Sequence, residues 1–149
     1  MTSLYLEDLT PGRVFEGAAP TVVTEEEVVA FAARYDPQPF HMDAEAGRRS
    51  VFGGLAASGW HTAAMSMRMF VASLPIANGL VGVEAAVKWA RPTHTGDVLR
   101  VRLEVLEARP SASKPLQGLV RVRCLTLNQR DEVAQTMEAT LVVPRRPEG

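Results

Sequence analysis

Two residues able to accept and donate protons, Asp36 and His41, lie five positions apart in one short segment of the chain. Pro37 and Pro39 lie between them and stiffen the backbone, because a proline fixes its own φ and restricts the residue before it. A carboxylate and an imidazole held this close can bind one water molecule between them and remove a proton from it. The segment therefore predicts a site for general acid–base chemistry.

The same pair also has an interpretation that involves no chemistry. An aspartate before a proline often forms a turn or caps a helix, and His41 can bond to the backbone of its own loop. Short motifs of this kind are weak evidence by themselves. The pair alone therefore leaves a structural role and a catalytic role both open.

A nearly apolar segment from about Ser58 to Leu74 follows this pair, and Gly53, Gly54 and Gly59 precede or begin it. Its apolar residues recur at the spacing of a helical face, and methionines make much of the other side apolar too. A helix that is apolar almost all round is typical of a buried position. The side chains expected on its main apolar face are Trp60, Ala63, Ala64, Met67, Phe70, Val71 and Leu74.

Signals on either side of this helix predict an α+β domain. Thr24 and Glu27 form a capping box that predicts a helix over about 25–34, ending near Asp36, and Asp43 can cap a second short helix over about 44–49. After Pro75 the hydrophobic period changes to two, which predicts a run of antiparallel strands covered on one face by the apolar helix. The expected strands are 80–89, 97–109, 118–127 and 133–143, with a weaker candidate at 13–18.

Composition narrows the class of protein. With 149 residues, 46% of them hydrophobic, the chain is expected to form one domain over 1–149. Its 16 basic and 17 acidic residues produce no global field that would recruit nucleic acid or a membrane. Residues 1–12 lack the pattern of a signal peptide, and Arg68 and Pro75 interrupt and end the longest apolar stretch. We therefore expect a cytoplasmic protein.

The remaining reactive side chains favour structural roles. Cys124 is the single cysteine and lies in an apolar strand pattern, which predicts a buried, inert thiol. Ser58 is interpreted as a helix cap, since no acyl-transfer motif surrounds it. His61 and His94 are interpreted as surface or packing residues. No spacing of cysteine, histidine and carboxylate indicates zinc, so we expect neither a metal nor another cofactor.

These motifs together resemble those of the MaoC-like dehydratases, the R-specific enoyl-CoA hydratases of the hot-dog fold. The family's D-x-N-P-x-H loop is similar to residues 36–41 (DPQPFH), and its A-H-G sequence before the central helix is similar to 57–59 (ASG). Between them, 52–54 (FGG) resembles a phenylalanine–glycine segment of the family. Residues 91–97 (RPTHTGD) resemble its P-G-D turn, and 128–133 (NQRDEV) its late hairpin. The likeness covers nearly the whole chain in the right order.

Three departures concern residues beside the acid–base pair. Gln38 replaces the family's asparagine, Tyr35 stands where a glycine is common, and Ser58 replaces the histidine of A-H-G. Asp36 and His41 themselves are retained. The departures therefore affect the expected shape of the substrate more than the expected chemistry.

The resemblance implies a hot-dog fold, in which a curved antiparallel sheet wraps around one long central helix. It also implies a lyase of fatty acid metabolism that adds water across the double bond of a 2-enoyl-CoA thioester. Asp36 and His41 would activate the water, and the amide of Gly59 would hold the thioester oxygen as it gains charge. The residues expected to bind substrate are Gln38, Phe52, Gly53, Ser58 and Trp60.

The resemblance further implies a homodimer or a dimer of dimers. Met65, Met67, Met69 and Phe70 are expected in the core, where part of the group can line an acyl tunnel. Two other functions remain as alternatives. One is an acyl-CoA thioesterase, although no Asp or Glu occurs from Ala46 to Val83. The other is a non-catalytic acyl-CoA-binding dimer module.

Overall fold

The computed structural model describes residues 2–148, which form an antiparallel sheet and several helices. No helix within these residues is long and apolar enough to cross a membrane. A short 3-10 helix, Leu6–Asp8, precedes the other elements. The helices are α1 (Glu25–Tyr35), α2 (Pro39–Met42), α3 (Ala44–Arg48) and α4 (Gly59–Ser73), and the strands are β1 (Val14–Glu16), β2 (Thr21–Val22), β3 (Val81–Trp89), β4 (Val98–Pro110), β5 (Gln117–Leu127) and β6 (Val133–Pro144).

One antiparallel sheet carries the fold, with its strands in the order β1-β4-β5-β6-β3 and β2 paired to β4. Helix α4 packs against this sheet, and its Phe70 is fully buried in the same apolar core as Leu103 of β4 and Leu141 of β6. This arrangement confirms the predicted α+β fold with a central helix. Strand β3 lies at one end of the sheet and pairs with β6.

Local signals set most element boundaries. The Thr24 hydroxyl accepts a hydrogen bond from the Glu27 amide at 3.3 Å, and the Asp43 carboxylate accepts one from the Ala46 amide at 2.9 Å. These caps begin α1 and α3 where the sequence predicts. The four long strands also agree closely with the prediction. Three short elements were not predicted: the 3-10 helix Leu6–Asp8, β2, which is only two residues long, and α2, a single turn that begins at Pro39.

The predicted buried face of α4 is wrong in part. Phe70 and Leu74 are buried, but Trp60, Met67 and Val71 are 62%, 37% and 49% exposed. The helix instead buries a face that includes three polar residues: His61, Thr62 and Ser66.

Specific contacts compensate for part of this polar burial, although Nδ1 of His61 has no hydrogen-bond partner among the described residues. The Ser66 hydroxyl lies 2.6 Å from the Thr126 hydroxyl of β5 and donates to the carbonyl oxygen of Thr62 at 2.7 Å. The His61 ring stacks on Phe31 of α1, with ring centroids 4.7 Å apart. Hydropathy spacing identifies an apolar stripe on a helix, but it does not identify which neighbour covers that stripe.

A continuous apolar surface therefore remains open on the single chain, along α4 and the neighbouring strand β3. We call it the α4–β3 face. Exposed apolar patches of this kind mark interaction sites or grooves more often than isolated exposed residues do. Its large exposed side chains are Trp60, Met67, Val71, Val81, Val83 and Trp89.

The buried His61 should make the free energy of unfolding depend on pH. Burial lowers the pKa of this imidazole below its ordinary value of 6.5, although Glu27 opposes the shift. The imidazole binds a proton more tightly in the unfolded chain than in the folded one. The contribution of His61 to the free energy of unfolding is therefore fully present above about pH 6.5 and is lost as the pH falls below that value. Urea unfolding between pH 8 and pH 5 should show this decline.

The matched variant is His61→Phe, which keeps an aromatic ring against Phe31 and cannot titrate. Its stability should vary less between pH 7 and pH 5 than that of the parent protein. Equal pH dependence in the two proteins would contradict the assignment to His61.

Candidate active site

A cavity of about 410 Å³ lies where the loop before α2, the start of α4 and the end of β3 meet. Three of its lining side chains, those of Asp36, Gln38 and His41, carry polar groups from the segment predicted to do chemistry. Most of the apolar wall is aromatic. The other lining residues are Phe40, Phe52, Ala57, Gly59, Trp60, Thr62, Trp89, Ala90, Arg91, Pro92 and Thr93.

The His41 ring is held in one orientation. It is buried, and its Nδ1 lies 2.7 Å from the carbonyl oxygen of Ala56. Because a carbonyl oxygen can only accept a hydrogen bond, Nδ1 carries the proton and the neutral ring has its free lone pair on Nε2. The rings of Phe40 and Phe52 pack against the imidazole, with centroids 4.7 and 5.9 Å away. Nε2 is therefore fixed as the atom that can take up a proton.

The Asp36 carboxylate is held by two hydrogen bonds, one to each oxygen. The Ser58 hydroxyl donates to Oδ2 and the Gln38 amide donates to Oδ1, both at 2.6 Å. The bond from Ser58, followed by that from Gln38 and the nearby His41, holds the pKa of Asp36 below its usual value, against the opposing effect of partial burial. Asp36 is accordingly a carboxylate at neutral pH.

The two groups converge at the cavity. His41 Nε2 lies 3.4 Å from Asp36 Oδ2. One water molecule placed beside both atoms can donate one hydrogen bond to Nε2 and one to Oδ2, with ordinary bond lengths of about 2.8 Å. The structure therefore brings together the pair that the sequence predicted, in a geometry suited to activating water.

The first turn of α4 supplies a backbone donor beside this pair. Ser58 is the N-cap, and its hydroxyl accepts a hydrogen bond from the Trp60 amide at 3.3 Å while donating to Asp36. The amide of Gly59 comes first in the helix and has no acceptor among residues 2–148. A free amide at the positive end of a helix favours an oxygen that gains negative charge.

Gly59 also has a packing role. A Cβ at this position would lie only 2.7 Å from the indole ring of Trp89. Trp89 in turn donates from its indole nitrogen to Gln135 at 3.0 Å and packs edge-on against Trp60, with centroids 5.1 Å apart. A side chain at 59 would therefore disturb Trp89, so substitution at Gly59 cannot isolate the function of its amide.

The remaining predicted site residues have different positions. Phe52 and Trp60 line the cavity as expected. Ser58 does not line this cavity, and its hydroxyl bonds to Asp36 instead, so its contact with substrate stays a prediction. Gly53 is also outside the lining, and its positive φ of 67° places it in the turn before α4. The expected contact of Gly53 with substrate therefore stays a prediction that this cavity does not support.

Sequence reasoning missed Trp89 and the segment 90–93 as parts of the site. The aromatic residue at the end of a strand, just before an Arg-Pro turn, is the one local signal that was available. It could not reveal that β3 ends against the start of α4, because that contact joins segments 30 residues apart in the chain, at Gly59 and Trp89. The methionines of α4 do not line this cavity, so they form no acyl tunnel from it.

Two other side chains singled out in the sequence have supporting or inert roles. His94 Nε2 lies 2.7 Å from the carbonyl oxygen of Phe52, a contact that helps hold the segment bearing this aromatic wall. Burial raises the pKa of the Cys124 thiol to about 12, so it does not form the reactive thiolate at neutral pH.

Comparison with known proteins decides the family. The family model described as "MaoC like domain" matches residues 7–126. The chain belongs to the MaoC-like domain family. It is similar to a crystal structure of the MaoC-like dehydratase from Rhodospirillum rubrum, with 49% identity, a TM-score of 0.94, and coverage of 98% of this chain and 100% of that chain.

Two further relatives connect the family to named activities. The chain is 30% identical over 147 residues to a 3-hydroxybutyryl-CoA dehydratase of Methylorubrum extorquens, covering 98% of this chain and 88% of the relative. It is 26% identical to R-hydratase PhaJ1 from Pseudomonas aeruginosa, with a TM-score of 0.77 and coverage of 97% and 88% of the two chains. These matches confirm the MaoC-like resemblance and the hot-dog fold.

The hydrogen bonds to Asp36 predict an ordered series of pKa changes. Ser58→Ala should raise the pKa of Asp36 more than Gln38→Leu does, because the Ser58 bond is the larger stabilising effect. Carboxyl chemical shifts followed by NMR through an acid titration would measure both. Ser58→Ala should also cost about 1 kcal/mol of stability through loss of the helix cap.

Ser73→Ala is a suitable control, because Ser73 lies on the same helix and its hydroxyl bonds to the carbonyl oxygen of Met69. It should leave the Asp36 titration unchanged. An unchanged Asp36 pKa in folded Ser58→Ala would show that the serine does not stabilise this carboxylate.

Proposed function

We propose that this protein adds water across the double bond of a 2-enoyl-CoA thioester to give an (R)-3-hydroxyacyl-CoA, or catalyses the reverse dehydration. The observation that carries the proposal is the convergence of Asp36 and His41, 3.4 Å apart, on a cavity that Gly59 also lines. Family membership and the hydratase and dehydratase relatives support this class of reaction. The name of the dehydratase relative supports a CoA thioester as substrate.

The first step is attack of water on carbon 3 of the enoyl group. The water oxygen forms a bond to this carbon while one of its protons moves to Nε2 of His41, and the Asp36 carboxylate accepts a hydrogen bond from the other O–H. The electrons of the double bond shift toward the thioester, whose oxygen gains negative charge. The Gly59 amide stabilises that charge, and Asp36 stabilises the new imidazolium.

The second step returns the proton. The imidazolium of His41 donates from Nε2 to carbon 2, the electrons on the thioester oxygen re-form its carbonyl, and neutral His41 is restored. No proton is gained or lost over the cycle. Because one ring takes the proton and returns it, the hydroxyl and the hydrogen add to the same face of the substrate. Dehydration follows the same steps in reverse.

A thioesterase would need water to attack the thioester carbon instead. Among the described side chains, Asp36 has the one carboxylate that lines the cavity. The segment from Ala46 to Val83, which includes α4, contains no Asp or Glu that could activate such a water. The oxygen of the thioester faces a donor in the proposed geometry, and the paired acid–base groups remain free for carbon 3. Crotonyl-CoA separates the two reactions, because hydration removes the enoyl absorbance without releasing a thiol.

Removing either catalytic group should abolish most of the activity. Asp36→Asn and His41→Ala should each lower kcat/KM for crotonyl-CoA by about a hundredfold to ten-thousandfold, the usual contribution of a general acid–base group. The decay of enoyl absorbance measures the rate, and thermal unfolding checks that each variant is folded.

Asp131→Asn makes the same chemical change in an exposed turn and should keep the parent rate. Near-normal hydration by folded Asp36→Asn or His41→Ala would rule out this mechanism. Thiol release without loss of the enoyl group would favour the thioesterase, and absence of turnover with several enoyl-CoA substrates would favour a binding module.

The open α4–β3 face supports a homodimer, or an assembly of such dimers. Strand β3 is the last in its sheet, and Val81 and Val83 are 54% and 58% exposed. A second copy placed across a two-fold axis offers the same strand edge and the same apolar surface, so the interface can be self-complementary. Trp60 and Trp89 belong both to this face and to the cavity, so the partner subunit would adjoin the site.

Val83→Asp should shift the protein toward monomer, because it places a charge within the proposed interface. Light scattering at micromolar concentration measures this shift. Leu116→Asp makes a similar change at a residue that is 81% exposed in the loop before β5, outside the α4–β3 face, and it should preserve the dimer. A fully active parent protein that is monomeric under these conditions would contradict the assembly.

A further inference from the structure

A fully buried glutamine is hydrogen-bonded to the wall of the active-site cavity. Gln135 of β6 lies directly opposite Trp89 of β3 in the sheet, and it does not line the cavity itself. Its Oε1 accepts a hydrogen bond of 3.0 Å from the indole nitrogen of Trp89. Strand β6 is paired on both sides, by β5 and β3, whereas β3 is the last strand of the sheet. The bond therefore ties a side chain on an edge strand to the interior of the sheet.

The amide nitrogen of the same glutamine has no such partner. Nothing among the described residues accepts a hydrogen bond from Gln135 Nε2, although this atom is buried. A buried polar group without a partner costs free energy, and an apolar side chain of the same length would avoid that cost. The fold alone therefore gains little from a glutamine at this position. The bond that its Oε1 accepts from Trp89 indicates a role other than stability.

Trp89 packs against the proposed donor to the thioester oxygen. A Cβ on Gly59 would lie 2.7–3.0 Å from three ring atoms of Trp89, so the indole lies directly against Gly59. The preceding residue, Ser58, is held by its hydrogen bonds to Asp36 and to the Trp60 amide. The peptide group that joins Ser58 to Gly59 is therefore fixed by hydrogen bonds at one end and by the indole ring at the other. Rotation of Trp89 would remove the second of these contacts.

We propose that Gln135 is a positioning residue for hydration, which fixes the indole of Trp89 against Gly59 and so keeps the Gly59 amide in place for the thioester oxygen. This inference rests on the proposed hydratase function for its reaction. Gln135 acts through Trp89 and does not contact the substrate. Its contribution is largest in the transition state, when the thioester oxygen carries the most negative charge. We therefore expect kcat to depend on Gln135 more than KM does.

Gln135→Met tests this role, because it keeps the length of the side chain and removes both polar atoms. It should lower kcat for crotonyl-CoA about tenfold and change KM less than about threefold, since complete loss of an oxyanion donor costs about a hundredfold or more. The melting temperature should stay close to that of the parent, because the unpartnered Nε2 is removed as well. Gln135→Glu retains an acceptor oxygen for the indole N–H and should keep most of the parent kcat. A folded Gln135→Met with the parent kcat would overturn the proposal.

A double-mutant cycle with Trp89→Phe tests whether Gln135 acts through the indole. Trp89→Phe keeps a ring beside Gly59 and removes the N–H, so it should itself lower kcat. Adding Gln135→Met should then change kcat by less than about twofold, because the bond is already absent. Effects of the two substitutions that multiply would contradict the role. If Gln135→Met fails to fold, Trp89→Phe tests the same bond from its other end, and a folded Trp89→Phe with the parent kcat would exclude it.

Thr126→Val is the control for a change in the same part of the core. Thr126 lies directly opposite Gln135 on β5, is also fully buried, and bonds to Ser66. The substitution should lower the melting temperature, because it breaks a buried hydrogen bond, and should leave kcat within about twofold of the parent value. If Thr126→Val lowered kcat as much as Gln135→Met, the effect would belong to the core in general and the positioning role would fail.

NMR separates the positioning role from the reaction. The indole N–H of Trp89 should exchange with solvent faster in Gln135→Met, and the shift of the Gly59 amide signal on addition of butyryl-CoA, which cannot be hydrated, should be smaller than in the parent. Equal exchange and an equal shift in the two proteins would overturn the role, as would a Gly59 amide that does not respond to butyryl-CoA in the parent. If the parent hydrates no enoyl-CoA, the hydratase function fails, and the response of Gly59 still decides whether Gln135 positions this amide.

Discussion

The hydrogen bond from the Ser58 hydroxyl to Asp36 is the contact on which the site most depends. It joins two segments 22 residues apart, the loop that follows α1 and the residue that begins α4. The same hydroxyl accepts from the Trp60 amide, so a single side chain caps the helix and anchors the carboxylate. The position of Asp36 is thereby tied to the central element of the fold.

This connection places three kinds of chemical group at one end of α4. The carboxylate is kept charged by its two hydrogen bonds, Nε2 of the imidazole lies 3.4 Å from it, and Gly59 at the start of the helix lines the same cavity. Each group is positioned by backbone or buried partners before substrate arrives. Such preorganisation favours charge development in the transition state, because little rearrangement is needed when the reaction occurs.

One face of α4 packs into the core and stabilises the fold, and another face stays exposed. On its polar buried face the Ser66 and Thr126 hydroxyls bond to each other and His61 stacks on Phe31, although Nδ1 of His61 has no hydrogen-bond partner among the described residues. Its aromatic and aliphatic stripe stays open. An apolar stripe that is left open is available to a second subunit. The interpretation of that stripe as the core-facing side was wrong because serine and threonine hydroxyls are buried at little cost when they bond to each other.

The sequence by itself determined helices α1, α3 and α4, the four long strands and the pairing of Asp36 with His41, because caps, prolines and hydrophobic alternation act within a few residues of the chain. Tertiary structure decided which face of α4 is buried, that Ser58 holds Asp36, and that Trp89 lines the cavity while Gly53 lies outside it. These outcomes depend on how α4 packs against β3 and the loop. The partners in that packing are separated by 20 or more residues, so no local pattern encodes their contacts.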